Sequence, residues 1–251
     1  MISHWREYCS EFIGTALLLF IGIGAISLNF GHHSFVPQFI PNHSVRLLIT
    51  GLMFAGGATL IVYSSLGQRS GGHINPAVTL SFWILNKIKT IDAIVYMGMQ
   101  FSGAVLGAYC AFLLFGEMAQ SVHLGITMPG EGYSIIYVFI CEIIITALLI
   151  TIIFLFTSFK SLAPFTGIAA GLLVATEVFF TAPISGTGLN PARSFGPAFV
   201  LQNFQYYWIY FLAPILASIL ISILYKQLVY KPICGKLYHT FHHGCIFNCD
   251  Y

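Results

Sequence analysis

The sequence predicts an all-α membrane protein: a bundle of six membrane-spanning helices with two re-entrant half-helices, arranged as an inverted repeat. Three observations support this prediction. Of the 251 residues, 57% are hydrophobic and only 7% are charged, whereas about 25% of the residues of a soluble domain are charged. Six apolar runs are long enough to span a bilayer. Finally, the tripeptide Asn-Pro-Ala occurs twice, at 75–77 and 190–192.

The apolar runs set the number of spans, because a helix needs roughly 20 residues to cross the hydrocarbon core. The runs that meet this length are 8–28, 46–66, 91–115, 133–159, 164–182 and 207–230. We expect the first run to be retained as a span, because no small-residue cleavage site follows it. In the third run, Gly103 and Gly107 form a small-xxx-small pair, which is typical of closely packed helices.

Each Asn-Pro-Ala tripeptide predicts a short helix that begins inside the membrane. Asn is a favoured N-cap and Pro fits the first helical position. Segments 75–85 and 190–202 are too short to cross the bilayer and too apolar for water. Membranes tolerate such half-helices where irregular backbone lines a water-filled cavity. The candidate pore residues are therefore Asn75, Pro76, Ala77, Asn190, Pro191 and Ala192.

The two halves of the chain repeat each other. Segments 11–18 and 142–149 share the pattern Glu-x-x-x-Thr-Ala-Leu-Leu, and each precedes its own Asn-Pro-Ala by two spans. Because each half has three spans, the second copy starts on the other side of the membrane and is inverted relative to the first. Inverted repeats with broken helices predict a solute site near the membrane midplane. We expect one channel domain at 1–230, with repeats at about 7–115 and 133–230, and a C-terminal tail at 231–251.

The positive residues predict the orientation. With the N-terminus inside, only Arg46 lies on an outer loop, and Arg193 belongs to a half-helix. The other Lys and Arg residues all lie on the inner side: Arg6, Arg69, Lys87, Lys89, Lys160, Lys226, Lys231 and Lys236. This positive-inside bias predicts that both termini are cytoplasmic.

The two half-helices should meet N-terminus to N-terminus. Each helix N-terminus carries about half a positive charge, so the meeting point opposes cations and protons. If the oxygen of each Asn caps its own helix, the NH₂ donors of Asn75 and Asn190 are free to face the lumen. A water molecule held there points its hydrogens away from the centre, which interrupts a proton wire.

Residues 70–79 read Ser-Gly-Gly-His-Ile-Asn-Pro-Ala-Val-Thr, and 188–198 read Gly-Leu-Asn-Pro-Ala-Arg-Ser-Phe-Gly-Pro-Ala. With these motifs the chain resembles the aquaporin (major intrinsic protein) family over roughly residues 7–225. The resemblance implies a right-handed aquaporin-like bundle of the bacterial water-channel type, in the plasma (inner) membrane. It also implies a homotetramer without cofactors whose protomers conduct water and small uncharged solutes such as glycerol or urea.

The resemblance further implies a selectivity filter made by Ala55, Val178, Thr187 and Arg193. Strict water channels of the family usually carry Phe and His at the positions of Ala55 and Val178. Small apolar residues there predict a wider and less polar constriction, because selectivity follows pore diameter and lining donors. A register shift of one residue would place Phe54 at the first position instead.

Four other polar residues of the spans and loops are candidates for scaffold or functional roles. Glu11 and Glu142 occupy matched repeat positions, which favours acceptors for the loops ahead of the half-helices over a proton relay. His73 is expected to pack beside the Asn75 cap and bond to backbone, with gating as the alternative. Glu177 leaves two hypotheses: a partner of Arg193 in the outer vestibule, or a protonated residue at an interface.

The tail contains a group of possible metal ligands, namely His239, His242, His243, Cys245 and Cys249. Their spacing fits no firm zinc pattern. The prediction is therefore a flexible tail without a metal site.

Competing function classes are less compatible with the sequence. A secondary transporter also uses inverted repeats and broken helices, but it needs coupling-ion ligands, and the acids available within the spans are Glu11, Glu142 and Glu177. An ion channel is opposed by the positive midpoint and the lack of a carbonyl-ring filter sequence. The spans contain no nucleophile–base pair, which argues against an enzyme, and scattered positive residues argue against nucleic-acid binding.

Overall fold

The structure is a computed structural model that describes residues 4–240 and 244–251. Within these residues the chain is helical, with short 3₁₀ turns at His123–Gly125 and Ala163–Phe165. The α-helices, in chain order, are α1 (Trp5–Phe30), α2 (Val36–Phe39), α3 (His43–Tyr63), α4 (Ser65–Ser70), α5 (Pro76–Ile84), α6 (Thr90–Phe115), α7 (Glu117–Ser121), α8 (Ile135–Thr157), α9 (Thr166–Ser185), α10 (Pro191–Val200) and α11 (Tyr207–Gln227).

Six of the helices in the described part of the chain are long and apolar enough to cross a membrane: α1, α3, α6, α8, α9 and α11. The six predicted spans are therefore confirmed, although their ends differ by a few residues. The last span ends at Gln227, short of residue 230. Leu228 is extended, with φ −80° and ψ 153°, and the chain turns back toward the bundle.

The half-helices α5 and α10 begin where the Asn-Pro-Ala tripeptides place them. Asn75 is extended, and its Oδ1 accepts a hydrogen bond from the Ala77 N–H at 2.8 Å. Asn190 is likewise extended, and its Oδ1 accepts from the N–H groups of Ala192 at 3.0 Å and Arg193 at 3.2 Å. The side chains therefore satisfy donors at the helix starts that have no partner within the helix.

The two halves exchange their half-helices. α5 belongs to the first half but packs against α11, the last span of the second half, and α10 correspondingly packs against α6. The remaining contacts follow the same symmetry, with α1 on α6 and α8 on α11, while α3 packs against α9 across the halves. Each half-helix therefore lies between spans of both halves.

The bundle has two faces that are named here by the chain ends. At the terminal face, where α1 and α6 begin and α11 ends, the His4 Nδ1 lies 2.8 Å from the Asp92 Oδ1. At the opposite face, where α1 and α6 end, the backbone N–H of His32 donates to the Ser121 Oγ at 2.8 Å. α5 enters the bundle from the terminal face and α10 from the opposite face.

Two glycines allow α1 and α6 to approach closely. A Cβ added at Gly103 would lie 2.2 Å from the Phe12 carbonyl oxygen, and one at Gly107 would lie 2.1 Å from that of Ala16. These obstacles are backbone atoms that cannot rotate away. The small-xxx-small pair therefore sits at a helix contact that excludes larger residues.

We predict that Gly107→Ala destabilises the protein, because the added methyl group forces α1 and α6 apart; overpacking of this kind costs about 1–3 kcal/mol. Gly98→Ala on the same helix is the matched control, since no atom lies within 4 Å of the added Cβ. Thermal unfolding in detergent should show a lower midpoint for Gly107→Ala alone. Equal midpoints for the two variants would contradict the close packing.

Candidate functional site

A cavity of about 520 Å³ runs through the centre of the bundle. Its lining extends from Phe30 and Gly125 near the opposite face to Val62 and Leu237 near the terminal face. Both capping Asn residues line it between these ends, as do loop residues 72–74 and 186–189. The cavity therefore passes through the point where α5 and α10 meet.

The amide groups of the two Asn residues join the half-helices to each other. The Asn75 Nδ2 donates to the Leu189 carbonyl at 3.2 Å, and the Asn190 Nδ2 donates to the Ile74 carbonyl at 2.8 Å. Each NH₂ group has two hydrogens, so one remains for a molecule in the cavity. The expectation of fully free NH₂ donors is thus corrected, because the close approach of the loops places a carbonyl beside each amide.

The loop before α5 is held by the buried carboxylate of Glu11. Its Oε1 accepts from the Ser70 hydroxyl at 2.7 Å and the His73 N–H at 3.1 Å. Its Oε2 accepts from the Ile74 N–H and the Gln100 amide, both at 2.7 Å. Ile74 adopts a left-handed conformation with φ 41°, which is strained for a β-branched residue. Glu11 therefore holds a backbone turn that Ile74 would not adopt alone.

Glu142 holds the loop before α10 in the matching way. Its Oε1 accepts from the Gly188 N–H at 2.8 Å and its Oε2 from the Leu189 N–H at 2.9 Å. Thr187 and Leu189 are left-handed, with φ 52° and 58°, a conformation that costs about 1–3 kcal/mol per residue. The two carboxylates at matched repeat positions thus make matched contacts.

Another buried acid, Glu177 on α9, behaves differently. Its side chain is buried, yet neither carboxylate oxygen has a hydrogen-bond partner among the described residues. Arg193, which one hypothesis paired with Glu177, instead directs its Nη1 to the Gly125 carbonyl at 2.7 Å. The residues that line the cavity do not include Glu177.

We predict that Glu142→Gln lowers the stability of the folded bundle. The new NH₂ group would face a loop N–H, and a buried donor left without an acceptor costs about 1–3 kcal/mol. The matched control is Glu177→Gln, which keeps the side-chain size and loses no hydrogen bond.

Thermal unfolding in detergent measures both effects, and the midpoint should fall for Glu142→Gln but not for Glu177→Gln. If Glu142→Gln unfolded at the wild-type midpoint, the carboxylate would not hold the loop.

The four residues expected in the filter all line the cavity. Arg193 lies in the first turn of α10, and only 6% of the residue is exposed. Thr187 Oγ1 lies 2.9 Å from the Thr181 Oγ1, which orients its hydroxyl. Ala55 on α3 and Val178 on α9 contribute small apolar surfaces to the lining.

Phe54 adds an aromatic ring that the assignment of Ala55 leaves out. Phe54 also lines the cavity, and the Arg193 guanidinium carbon lies 5.6 Å from the centre of its ring. The ring fits there because Gly22 has no side chain; a Cβ at Gly22 would lie 2.0 Å from it. An aromatic ring therefore lies beside Arg193 in addition to the small side chain of Ala55, as the alternative register allows. The contact between α1 and α3 at Gly22 places the ring of Phe54 beside Arg193.

His73 connects the pore loop to the C-terminal tail. Its Nε2 lies 2.8 Å from the Gly235 carbonyl, and its Nδ1 lies 3.1 Å from the Thr79 Oγ1. Since a carbonyl only accepts, Nε2 carries the hydrogen and Nδ1 of the neutral ring accepts from the Thr79 hydroxyl. The ring stacks on Phe82 and lies 5.3 Å from that of Phe247. The backbone partner expected for His73 thus belongs to the tail.

The tail folds against the terminal face, which corrects the prediction of a flexible tail for its described residues. His242 and His243 lie outside these residues. The backbone contacts are Ile233 N–H to the Thr157 carbonyl, Leu237 N–H to that of Gly71 and Asn248 N–H to that of Lys87, each between 2.9 and 3.0 Å. The buried Lys236 Nζ also donates to the Gln68 carbonyl at 2.8 Å. These contacts were not predictable from spacing, because their partners lie more than 70 residues away.

Four side chains of the tail converge: Cys234, His239, Cys245 and Cys249, called the tail tetrad below. Their ligand-type atoms all lie within 4.8 Å of one another. Cys234 is absent from the cluster expected from the sequence, and it is the buried member. The hydrogen bond between Cys234 and Cys245, followed in effect by the Phe247 backbone N–H, lowers the pKa of the Cys245 thiol, and the same contact raises the pKa of Cys234.

Comparisons with known proteins agree with this architecture. The profile described as Major intrinsic protein matches residues 1–225. Aquaporin AqpM from Methanothermobacter marburgensis is 34% identical over 245 residues, which cover 91% of this chain and 99% of that protein. The lens fiber major intrinsic protein of Gallus gallus is 32% identical over 236 residues, covering 89% and 81% of the two chains.

A solved structure shares the fold. The aquaglyceroporin from Plasmodium falciparum superposes with a TM-score of 0.75 and 24% identity, covering 90% of this chain and 97% of that one. At this identity the likeness concerns the fold alone. Taken with the family profile and the relatives, the paired half-helices and the continuous cavity show that this chain belongs to the major intrinsic protein family of membrane channels for water and small solutes.

Proposed function

We propose that this channel passes water and small neutral polyols such as glycerol, and that it excludes ions and protons. The observation that carries the proposal is the single cavity that passes both the junction of α5 with α10 and the stretch lined by Arg193. Relatives named as aquaporins support water conduction. The structural neighbour is named as an aquaglyceroporin, which agrees with glycerol as a second solute.

The junction of the half-helices supplies the barrier to cations. Two helix N-termini, each with about half a positive charge, face the cavity at Asn75 and Asn190. The compensating carboxylates of Glu11 and Glu142 lie behind the loops, outside the cavity lining. A cation would meet the positive ends directly, whereas a neutral molecule can accept the remaining N–H of each amide.

The loops also offer acceptors along the path. A trans peptide places its carbonyl opposite its N–H. Because the His73 and Gly188 N–H groups face the carboxylates, the carbonyls of Gly72 and Thr187 point to the other side, where these residues line the cavity. A solute can therefore donate hydrogen bonds while the Asn amides donate to it.

The filter combines two kinds of wall. Phe54, Ala55 and Val178 are apolar, whereas Arg193 and Thr187 are polar, and all five line the cavity. A linear polyol has a hydrocarbon side and a hydroxyl side, which match these walls. Selectivity in such pores follows diameter and the lining donors. The filter therefore fits a small polyol better than an ion.

Stopped-flow light scattering on proteoliposomes tests the proposal. With sucrose outside, shrinkage should be faster than in empty vesicles; with glycerol, reswelling should follow. A pH-sensitive dye should report no added proton flux, because the positive junction interrupts the proton wire. Solute flux that required an ion gradient would instead indicate a secondary transporter.

The size of the filter is tested by Phe54→Ala. Removal of the ring beside Arg193 should raise the glycerol permeability severalfold relative to water, since the pore widens at this ring and selectivity follows pore diameter. The control is Phe180→Ala, which truncates an exposed ring on α9 away from the cavity. An unchanged ratio of glycerol to water permeability in Phe54→Ala would exclude this ring from the filter.

We further propose that the terminal face is cytoplasmic and that four copies assemble in the plasma membrane. The positive residues cluster at the terminal face, in agreement with the positive-inside rule. Labelling of intact and opened cells with an impermeant amine reagent would test the orientation on Lys231, which is exposed. Native mass spectrometry would test the assembly, and a monomer in mild detergent would contradict it.

A further inference from the structure

The tail tetrad has the dimensions of a metal site. The Cys234 and Cys245 sulfurs lie 3.4 Å apart, and the Cys249 sulfur lies 3.3 Å from the His239 Nε2. In a tetrahedral zinc site with Zn–S bonds of about 2.3 Å, the sulfurs lie about 3.8 Å apart. Since all four ligand atoms are within 4.8 Å of one another, one ion could contact all four after small side-chain shifts.

The types of ligand favour a soft divalent ion. Three thiolates and one imidazole form a closed tetrahedral set of the kind that structural zinc sites use. The surroundings suit a bound thiolate: the Lys236 N–H lies 3.5 Å from the Cys234 sulfur, in position to donate to it. With three thiolates, a Zn²⁺ site carries one net negative charge, which the buried Lys236 ammonium is placed to offset.

The fold of the tail also needs a constraint. After α11, the described residues of the tail contain no helix or strand, yet Cys234, Leu237 and Phe247 belong to the buried core of the channel. A short segment without regular structure rarely holds a fixed shape unless a metal or disulfide links it. The tail tetrad joins segment 234–239 to segment 245–249, and these segments supply the buried side chains.

The linked segments border one end of the pore. Leu237 lines the cavity at the terminal face, between Cys234 and His239 in the chain. The Gly235 carbonyl accepts from His73, two residues before the Asn75 cap. From the second segment, the Phe247 ring packs against His73 and is the nearest obstacle to a Cβ at Gly71. A metal ion bound at the tetrad would therefore fix residues that border this mouth.

We propose that Cys234, His239, Cys245 and Cys249 bind one Zn²⁺ ion, and that the bound ion holds Leu237 across the terminal-face mouth, so that the metal-loaded channel conducts less than the metal-free one. The site itself is independent of the proposed function, whereas its effect on conduction rests on it. Bound zinc thus lowers conduction, and its removal releases the tail from this position.

Metal content tests the site. The full chain, purified under reducing conditions with a tag that binds no metal, should hold one zinc per chain by elemental mass spectrometry after dialysis with Zn²⁺. The double variant C245S/C249S should lose it, whereas Cys110→Ser, which removes an exposed cysteine of α6, should retain it. Absence of zinc from the wild type, or equal zinc in the double variant, would overturn the site.

Conduction tests the closing effect. In proteoliposomes, a zinc chelator should raise the water permeability of the wild type severalfold but leave that of C245S/C249S unchanged. Leu237→Ala should raise the water permeability without loss of bound zinc. This variant distinguishes the effect of the Leu237 side chain on conduction from zinc binding by the tetrad. Bound zinc without any effect of the chelator on a conducting channel would overturn the closing role. If the protein conducted in neither metal state, the proposed channel function would be overturned. The zinc content would still show whether the tetrad binds the metal.

Discussion

The pore depends on one interaction made twice: a buried carboxylate accepts backbone N–H groups from a left-handed loop. Without water in the bilayer core, an unpaired N–H is costly, and Ile74 and Leu189 would not hold positive φ unaided. Glu11 and Glu142 supply the acceptors. They thereby turn the loop carbonyls toward the cavity and aim the starts of α5 and α10 at each other.

The exchange of half-helices makes the junction a property of both halves. Each half-helix packs on the last span of the other half, and each Asn amide donates to the loop that precedes the other Asn. The same amide therefore caps its own helix through oxygen and ties the two loops through nitrogen. This double use leaves one N–H of Asn75 and one of Asn190 for the solute, which is enough to orient a single acceptor atom.

The terminal-face mouth is linked to the junction through His73. This ring accepts from Thr79 of α5 and donates to the Gly235 carbonyl in the tail, so the tail and the first half-helix share one hydrogen-bonded chain. At the other end of the cavity, Arg193 is held by the Gly125 carbonyl. Neither mouth is formed by the spans alone, since each is completed by a segment outside them.

The sequence by itself determined the local features: the six spans through length and apolarity, and the helix starts through the capping chemistry of Asn75 and Asn190. It also matched Glu11 with Glu142 through the repeat. Only the tertiary structure decided that the ring of Phe54 lies beside Arg193. It also decided that Cys234 completes a tetrad in a folded tail. Caps and spans depend on residues a few positions apart, whereas these contacts depend on packing between distant segments.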